Sequence, residues 1–326
     1  MYPANQFRRP LQYLGIPPCV ITAIELLQRK HHNQRRRHTM LPEHRAHSDA
    51  MAETAHAMIG GVVWQTIALS LGAAAALVTA MILGARDVIP LWLVSVTVFL
   101  CVYLSYTVLH EAVHQNISGT RKDLVWINRT VGTLSAFFLL HSYEMHKTIH
   151  LTHHRNTNDP EHDPDHWVKG QNWVMTCLRS MTLFNGYFIY CRRHWADKRM
   201  RRAYWIGLRD TTVATAALTL VAVFVDWKLA LFGYVIPAMF AEMALGILFD
   251  YAVHTPHKAR ARFENTRVFV FPRFLDTLVT WAYAQQNYHG VHHAFPRIPF
   301  IRYRKFFRAT QDDIEAAGMP VVRPLG

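Results

Sequence analysis

Charge is scarce in this sequence. Lys, Arg, Asp and Glu together make up 17% of its 326 residues, while 51% are hydrophobic; soluble domains usually carry about 25% charge. Acid is scarcer than base, with 22 Asp and Glu against 35 Lys and Arg and a formal net charge of +13. Cysteine is nearly missing. Cys19, Cys101, Cys177 and Cys191 lie far apart without any Cys-x-x-Cys spacing, which speaks against a disulfide framework or a zinc ribbon. There is no glycine-rich phosphate loop, no dinucleotide-binding fingerprint and no haem-attachment motif. No internal repeat or low-complexity tract stands out.

What the chain does have is apolar runs. A bilayer-spanning helix needs about 20 mostly apolar residues. Four runs approach that length: Gly61 to Leu83, Ile89 to Leu109, Thr211 to Val225 (short) and Leu229 to Phe249. Only Gly84 to Val88 separates the first two, and only Asp226-Trp227-Lys228 the last two, so the runs pair into two helical hairpins. Val131 to Leu140 is too short to span, and Trp173 to Tyr190 is broken by Arg179 and Asn185; both read as interfacial or re-entrant helices. The expected fold is an all-α integral membrane protein, with four transmembrane helices in two hairpins and a cytoplasmic helical cap. Residues 1–55 are expected to form a basic, partly disordered tail, residues 56–310 the membrane domain and residues 311–326 a C-terminal tail.

The bases are unevenly placed. Each hairpin tip carries one, Arg86 and Lys228, while the N-terminal tail and the 115–210 and 250–326 segments hold nearly all the rest. The positive-inside rule puts those segments on the cytoplasmic face of a multi-pass inner membrane protein. A basic balance also suits nucleic acid, but here the bases flank apolar runs, so no nucleic-acid partner is expected. The first fifty residues carry eight Lys or Arg and no apolar core with a cleavage site. A cleaved signal peptide is therefore not expected, and Met40 or Met51 are alternative starts.

Histidine is abundant, at 21 residues, and clustered. His110-Glu111-Ala112-Val113-His114 ends the second run, and its i, i+4 imidazoles share a helix face. His150-Leu151-Thr152-His153-His154 follows, with His146 one turn upstream. His289-Gly290-Val291-His292-His293 repeats the His-x-x-His-His spacing. By the charge rule all three boxes fall on one membrane face. His-Glu-x-x-His alone is the zinc-protease signature, but eight imidazoles exceed one four-ligand zinc site. Imidazole suits iron, copper and zinc alike, so number alone does not choose the metal.

The pattern His-x-x-x-His, His-x-x-His-His, His-x-x-His-His over two hairpins resembles the membrane fatty acid desaturase and hydroxylase superfamily, from about Gly61 to Phe307. The stretch from His150 to Pro160, with His162-Asp163-Pro164-Asp165, is similar to that family's second box and its acidic turn. The resemblance implies two iron ions, O₂ as co-substrate and a ninth ligand after the last span, where His254 stands. The implied metal set is His110, His114, His150, His153, His154, His254, His289, His292 and His293. Asp250 resembles the residue that holds a metal-bound water. Glu111, His146 and Asp163 are candidate hydrogen-bond partners of the ligands, with Glu144, Asp159 and Asp165 as further candidates. His257 has no clear counterpart, and His141, His162, His166 and His194 are read as non-ligands. Glu242, a carboxylate inside the fourth run, is expected to face the bundle interior.

Asp250-Tyr251 with His254 and Pro256, then Asn265-Thr266-Arg267, Gln286-Asn287-Tyr288-His289 and Pro296-Arg297-Ile298-Pro299, look like the β-carotene ring hydroxylase branch. The resemblance therefore implies O₂-dependent desaturation or hydroxylation of an acyl chain or related lipid, with a carotenoid ring as the alternative substrate. Electrons would come from a separate donor: a ferredoxin, a rubredoxin or a cytochrome b5-like protein with its reductase. A membrane zinc metalloprotease or a non-catalytic metal-binding protein are the readings from other classes.

Overall fold

The structure is a computed structural model that describes residues 42–325; the basic tail expected from the sequence lies mostly outside them. The chain divides into a short unit ending at Ala50 and a main unit from Met51 onward. Pro42–Ala57 is helical (α1), and its Met51 and Ala55 are buried in the main unit.

Among the described residues, four helices are long and apolar enough to cross a membrane: α2 (Trp64–Ala85), α3 (Leu91–Val113), α8 (Lys198–Phe224) and α9 (Leu229–Ala252). The protein is an all-α membrane protein. A turn with Asp87 in the left-handed region separates α2 from α3, and Pro90 in extended conformation caps α3, since proline cannot sit deeper in a helix without losing a hydrogen bond. All but the first span run longer than their apolar runs. The third span, expected from Thr211, begins thirteen residues earlier, at Lys198. Asp197 accepts a hydrogen bond from the Arg199 amide and caps it, and nothing in the basic stretch that follows breaks a helix. The fourth, α9, is wound as a π-helix over Leu229–Val235 and Gly246–Ala252.

Between the second and third spans lie α4 (Val125–Phe138), α5 (Tyr143–Asn156), α6 (Trp173–Met181) and α7 (Leu183–Arg193). The Val131–Leu140 stretch begins in the second half of α4, where Val131, Gly132, Ser135, Ala136 and Phe138 are buried, and runs two residues past its end. Its Ser135 hydroxyl meets that of Ser70 on α2 at 3.1 Å, so α4 lies against the spans. At Gly132 a Cβ would strike the Tyr143 ring and Ala112, so the close approach of α4 to α3 and α5 requires glycine there. The Trp173–Tyr190 stretch is two helices, broken at Thr182. Glu242 of α9 accepts the Phe184 amide at 2.8 Å, satisfying a first-turn donor of α7 that has no partner within its own helix.

After α9 come β1 (Val268–Phe269), α10 (Arg273–Ala282), α11 (His289–Ala294), α12 (Tyr303–Ala316) and β2 (Val321–Val322). β1 and β2 pair in parallel. The tail boundary placed at residue 310 therefore falls inside α12, whose Phe306, Phe307, Thr310 and Ile314 are buried. Helix α10, which the run analysis passed over, turns Phe274, Leu278 and Trp281 outward, at 81%, 69% and 59% exposure. Its Asp276 faces the other way, to Arg304 and Arg308. An amphipathic helix of this kind carries too few consecutive apolar residues for a hydropathy window to detect.

Candidate metal centre

The nine histidines named by the sequence meet at one end of the bundle. His110, His114, His150, His154 and His292 place their ligand atoms within 4.8 Å of one another, and so do His153, His254 and His293. His289 lies beside both groups, its ring centre 4.7 Å from His293, 5.1 Å from His292 and 5.3 Å from His254. Helix geometry explains the division. Residues one apart on a helix point about 100° apart, whereas i and i+4 differ by about 40°. His150 and His154 therefore reach one group and His153 the other. His292 and His293 on α11 separate in the same way.

Four of the nine have Nδ1 against an acceptor. His153 Nδ1 donates to Asp163 Oδ1 at 2.8 Å and lies 3.3 Å from Asp165 Oδ2. His254 Nδ1 donates to the Asn265 carbonyl at 3.2 Å, and His289 Nδ1 to Gln286 Oε1 at 2.9 Å. His292 Nδ1 lies 2.9 Å from the Tyr303 hydroxyl, which is 3.4 Å from Glu111 Oε1. The carboxylate can only accept, so Tyr303 gives it its proton and accepts that of His292. With the Nδ1 proton held outward, each Nε2 presents a lone pair inward.

Those Nε2 atoms crowd together. His114 and His150 are 2.8 Å apart, His154 and His292 2.9 Å, His150 and His154 3.0 Å, and His110 and His292 3.0 Å. His153 and His293 lie 3.3 Å apart. The Nε2 of His254 is buried with no partner. Nitrogens this close must share either a proton or a metal cation. Ligands at right angles on metal–nitrogen bonds of about 2.1 Å stand about 3 Å apart, so the residues fit a metal group.

Protonation agrees with that fit. Burial, reinforced by neighbouring imidazoles, holds His114, His150, His154, His254, His289, His292 and His293 well below the ordinary histidine value, so they are neutral as a ligand must be. His153 differs. Burial alone would lower it, but Asp163 and Asp165 outweigh burial and raise it to about 9. Burial in turn pushes Asp165 up to about 6.

The other candidates divide. Glu111 is fully buried and accepts from Asn116 Nδ2 at 3.2 Å and from the Phe300 amide at 3.0 Å, so it ties the end of α3 to the C-terminal segment. Asp163 holds His153. His146 and Asp250 are buried beside the groups and belong to neither; both nitrogens of His146 and Oδ2 of Asp250 lack partners. Glu144 and Asp159 sit elsewhere. Glu144 pairs with Arg129 at 3.2 Å, and Asp159 pairs with Arg260 at 2.9 Å, because each points off its element toward water. Of the histidines set aside, His162 pairs with Asp159, and His141 stacks on Phe184 at 4.2 Å. Sequence reasoning missed Tyr303, for which the chain offers no local signal. It noted Asn265 and Gln286 only as parts of the branch likeness.

A buried, histidine-lined site at one end of a four-span helical bundle defines a multi-pass membrane protein whose clustered histidines could hold metal. The family model described as fatty acid desaturase matches residues 87–324, and the chain belongs to that family. Membership makes it an oxidoreductase acting on lipid. Comparison with curated proteins returned no match.

Proposed function

We propose that the protein is an O₂-dependent di-iron oxidoreductase that attacks an unactivated C–H bond of a lipid, desaturating or hydroxylating an acyl chain. The observation that carries this reading is the pair of adjacent histidine groups, with lone pairs converging inside a buried pocket. In this reading His110, His114, His150, His154 and His292 hold one iron, and His153, His254, His289 and His293 the other. Iron bound there would supply the one-electron steps and the activation of O₂ that an alkyl C–H bond demands.

The chain's residues do the rest. Asp163, Gln286, the Asn265 carbonyl and Tyr303 fix imidazole orientation through the outer nitrogen, as carboxylates and carbonyls do around metal-bound histidine. Tyr106 and Phe249, with ring centres 5.6 Å apart, and Leu109, fully buried, shield the site from water on the membrane side. Substrate enters from the bilayer, and the histidine end of the bundle faces the cytoplasm, as the base distribution indicates.

The test is purification of the full chain in detergent, a metal count, and lipid profiling of cells with and without the gene, with His153→Ala as control. Two irons per chain and a new unsaturated or hydroxylated lipid support the reading. One metal per chain, or hydrolysis without O₂, ends it. The branch likeness, which includes the His254 and Asn265 pair, favours a second substrate, a carotenoid ring. Pigment analysis in a carotenoid-producing host decides between the two.

A further inference from the structure

Helix α5 has two working faces. His150, His153 and His154 point into the metal centre. Lys147, Leu151 and His154 follow one another along a neighbouring stripe at i, i+4 and i+7. Of the nine clustered histidines, only His154 is half-buried; the other eight are buried. The stripe thus leads from the protein surface to a candidate ligand within two helical turns.

Alongside that stripe lies a groove of about 310 Å³, walled by α5 and the start of α8. Ser142, the N-cap of α5, donates to Asp210 of α8 at 2.6 Å. Gly207 lets the two helices close, since a Cβ there would run into the Met145 sulfur. Lys147, Arg155, Arg199 and Arg202 line the groove with one carboxylate, Glu144; Glu144 is paired with Arg129 and Arg199 with Asp197 just outside the groove. The flanking stretch from Arg192 to Arg202 adds to the charge, with six Lys or Arg and one Asp. The groove lies on the part of α8 before its apolar run, at the same end of the bundle as the histidines.

We propose that this basic groove is the docking surface for an acidic one-electron carrier protein that reduces the metal centre through the His154 edge. The proposal rests on the oxidoreductase reading above. The sequence holds no dinucleotide fingerprint, and each O₂ requires two electrons. Two encounters per turnover deliver one electron each. With two protons, O₂ and the substrate, they yield either an alcohol and one water or a double bond and two waters, and two oxidised carriers leave. Complementary charge serves such short-lived encounters by raising the association rate. An anionic membrane surface is the competing partner for a basic patch, but it would not require a groove that ends at Arg155, next in the chain to His154, which itself stands outside the groove lining.

The experiment uses the full chain, iron-loaded, in phosphatidylcholine nanodiscs. The probes are three oxidised carriers, a [2Fe–2S] ferredoxin, a rubredoxin and soluble cytochrome b5, with phosphatidylglycerol vesicles as the competing surface. Binding is measured at low and high salt for wild type, for the double variant Lys147→Glu/Arg202→Glu, and for Arg86→Glu at the opposite end of the bundle. The expected result is salt-sensitive binding of at least one carrier, weakened about tenfold or more in the double variant and unchanged in Arg86→Glu. Iron content and dithionite-driven turnover should match wild type. The proposal is overturned if no carrier binds wild type, if the double variant binds within twofold of wild type, or if it loses affinity only for phosphatidylglycerol vesicles. If wild type, reduced with dithionite, freed of excess reductant and then exposed to O₂, leaves the lipid unchanged, the oxidoreductase reading is rejected instead, and the binding data still decide the docking surface.

Discussion

His153 and Asp163 are joined by a 2.8 Å hydrogen bond between Nδ1 and Oδ1, and both are buried. Asp163 also accepts the amides of Asn158 and Asp165, at 2.7 and 2.9 Å. One carboxylate thus holds the loop after α5 and aims an imidazole of the second histidine group.

Asp163→Asn keeps the shape of that carboxylate and removes its charge. Loss of such a partner costs about 10- to 100-fold in metal affinity or activity. Iron retention against a graded chelator, followed in parallel with turnover, should show that loss, with the fold intact by circular dichroism. Retention equal to wild type would mean that Asp163 serves only the loop.

The two histidine groups should come apart by mutation. His254→Ala removes a member of the second group and leaves the first whole, so metal content should fall from two toward one per chain. His110→Ala should do the converse. Elemental analysis of the purified variants checks this. A variant that keeps two metals would remove that residue from the ligand set.

Glu111 and Tyr303 act together. Glu111→Ala strands the buried amide of Phe300 and takes the acceptor from the Tyr303 hydroxyl, while Asn116 Nδ2 keeps the carbonyls of Pro296 and Ile298. An unsatisfied buried donor costs about 1–3 kcal/mol, so thermal unfolding should begin clearly lower. Tyr303→Phe removes only the hydroxyl and should keep most of the stability while loosening His292. Its signature is faster metal loss at near-normal melting temperature. Equal melting losses in both variants would show that Tyr303 contributes packing alone.

Acid should destabilise the protein through His141. Both of its nitrogens are buried without partners, and burial lowers it to about 3. Unfolded, an imidazole titrates near 6.5. Between these values the unfolded chain binds a proton that the folded chain refuses, so stability is complete above about pH 6.5 and falls as pH drops toward 3. The slope for one proton is about 1.4 kcal/mol per pH unit. His141→Leu, packed on Phe184, should flatten the fall in melting temperature between pH 7 and pH 5. An unchanged slope would assign acid sensitivity to other groups.

Much of the fold was readable because its signals are local. The four spans announce themselves as apolar runs, and the hairpin turns as Gly84 to Val88 and Asp226 to Lys228. The ends were less readable. Lys198 to Asp210 is helical despite its charge, because Asp197 caps it and no breaker follows. Helix α10 escaped notice because only one of its faces is apolar.

The sequence by itself marked the box histidines that come together, since their i, i+3 and i+4 spacing follows from helical periodicity and needs no partner. Tertiary structure alone decided how those histidines divide into two groups, where His289 and His254 stand, and that Tyr303 and Glu111 buttress His292. His110 meets His292 across 182 residues of chain, and Glu111 meets Tyr303 across 192. Contacts at such separations depend on how helices pack, and no local pattern in the chain encodes that packing.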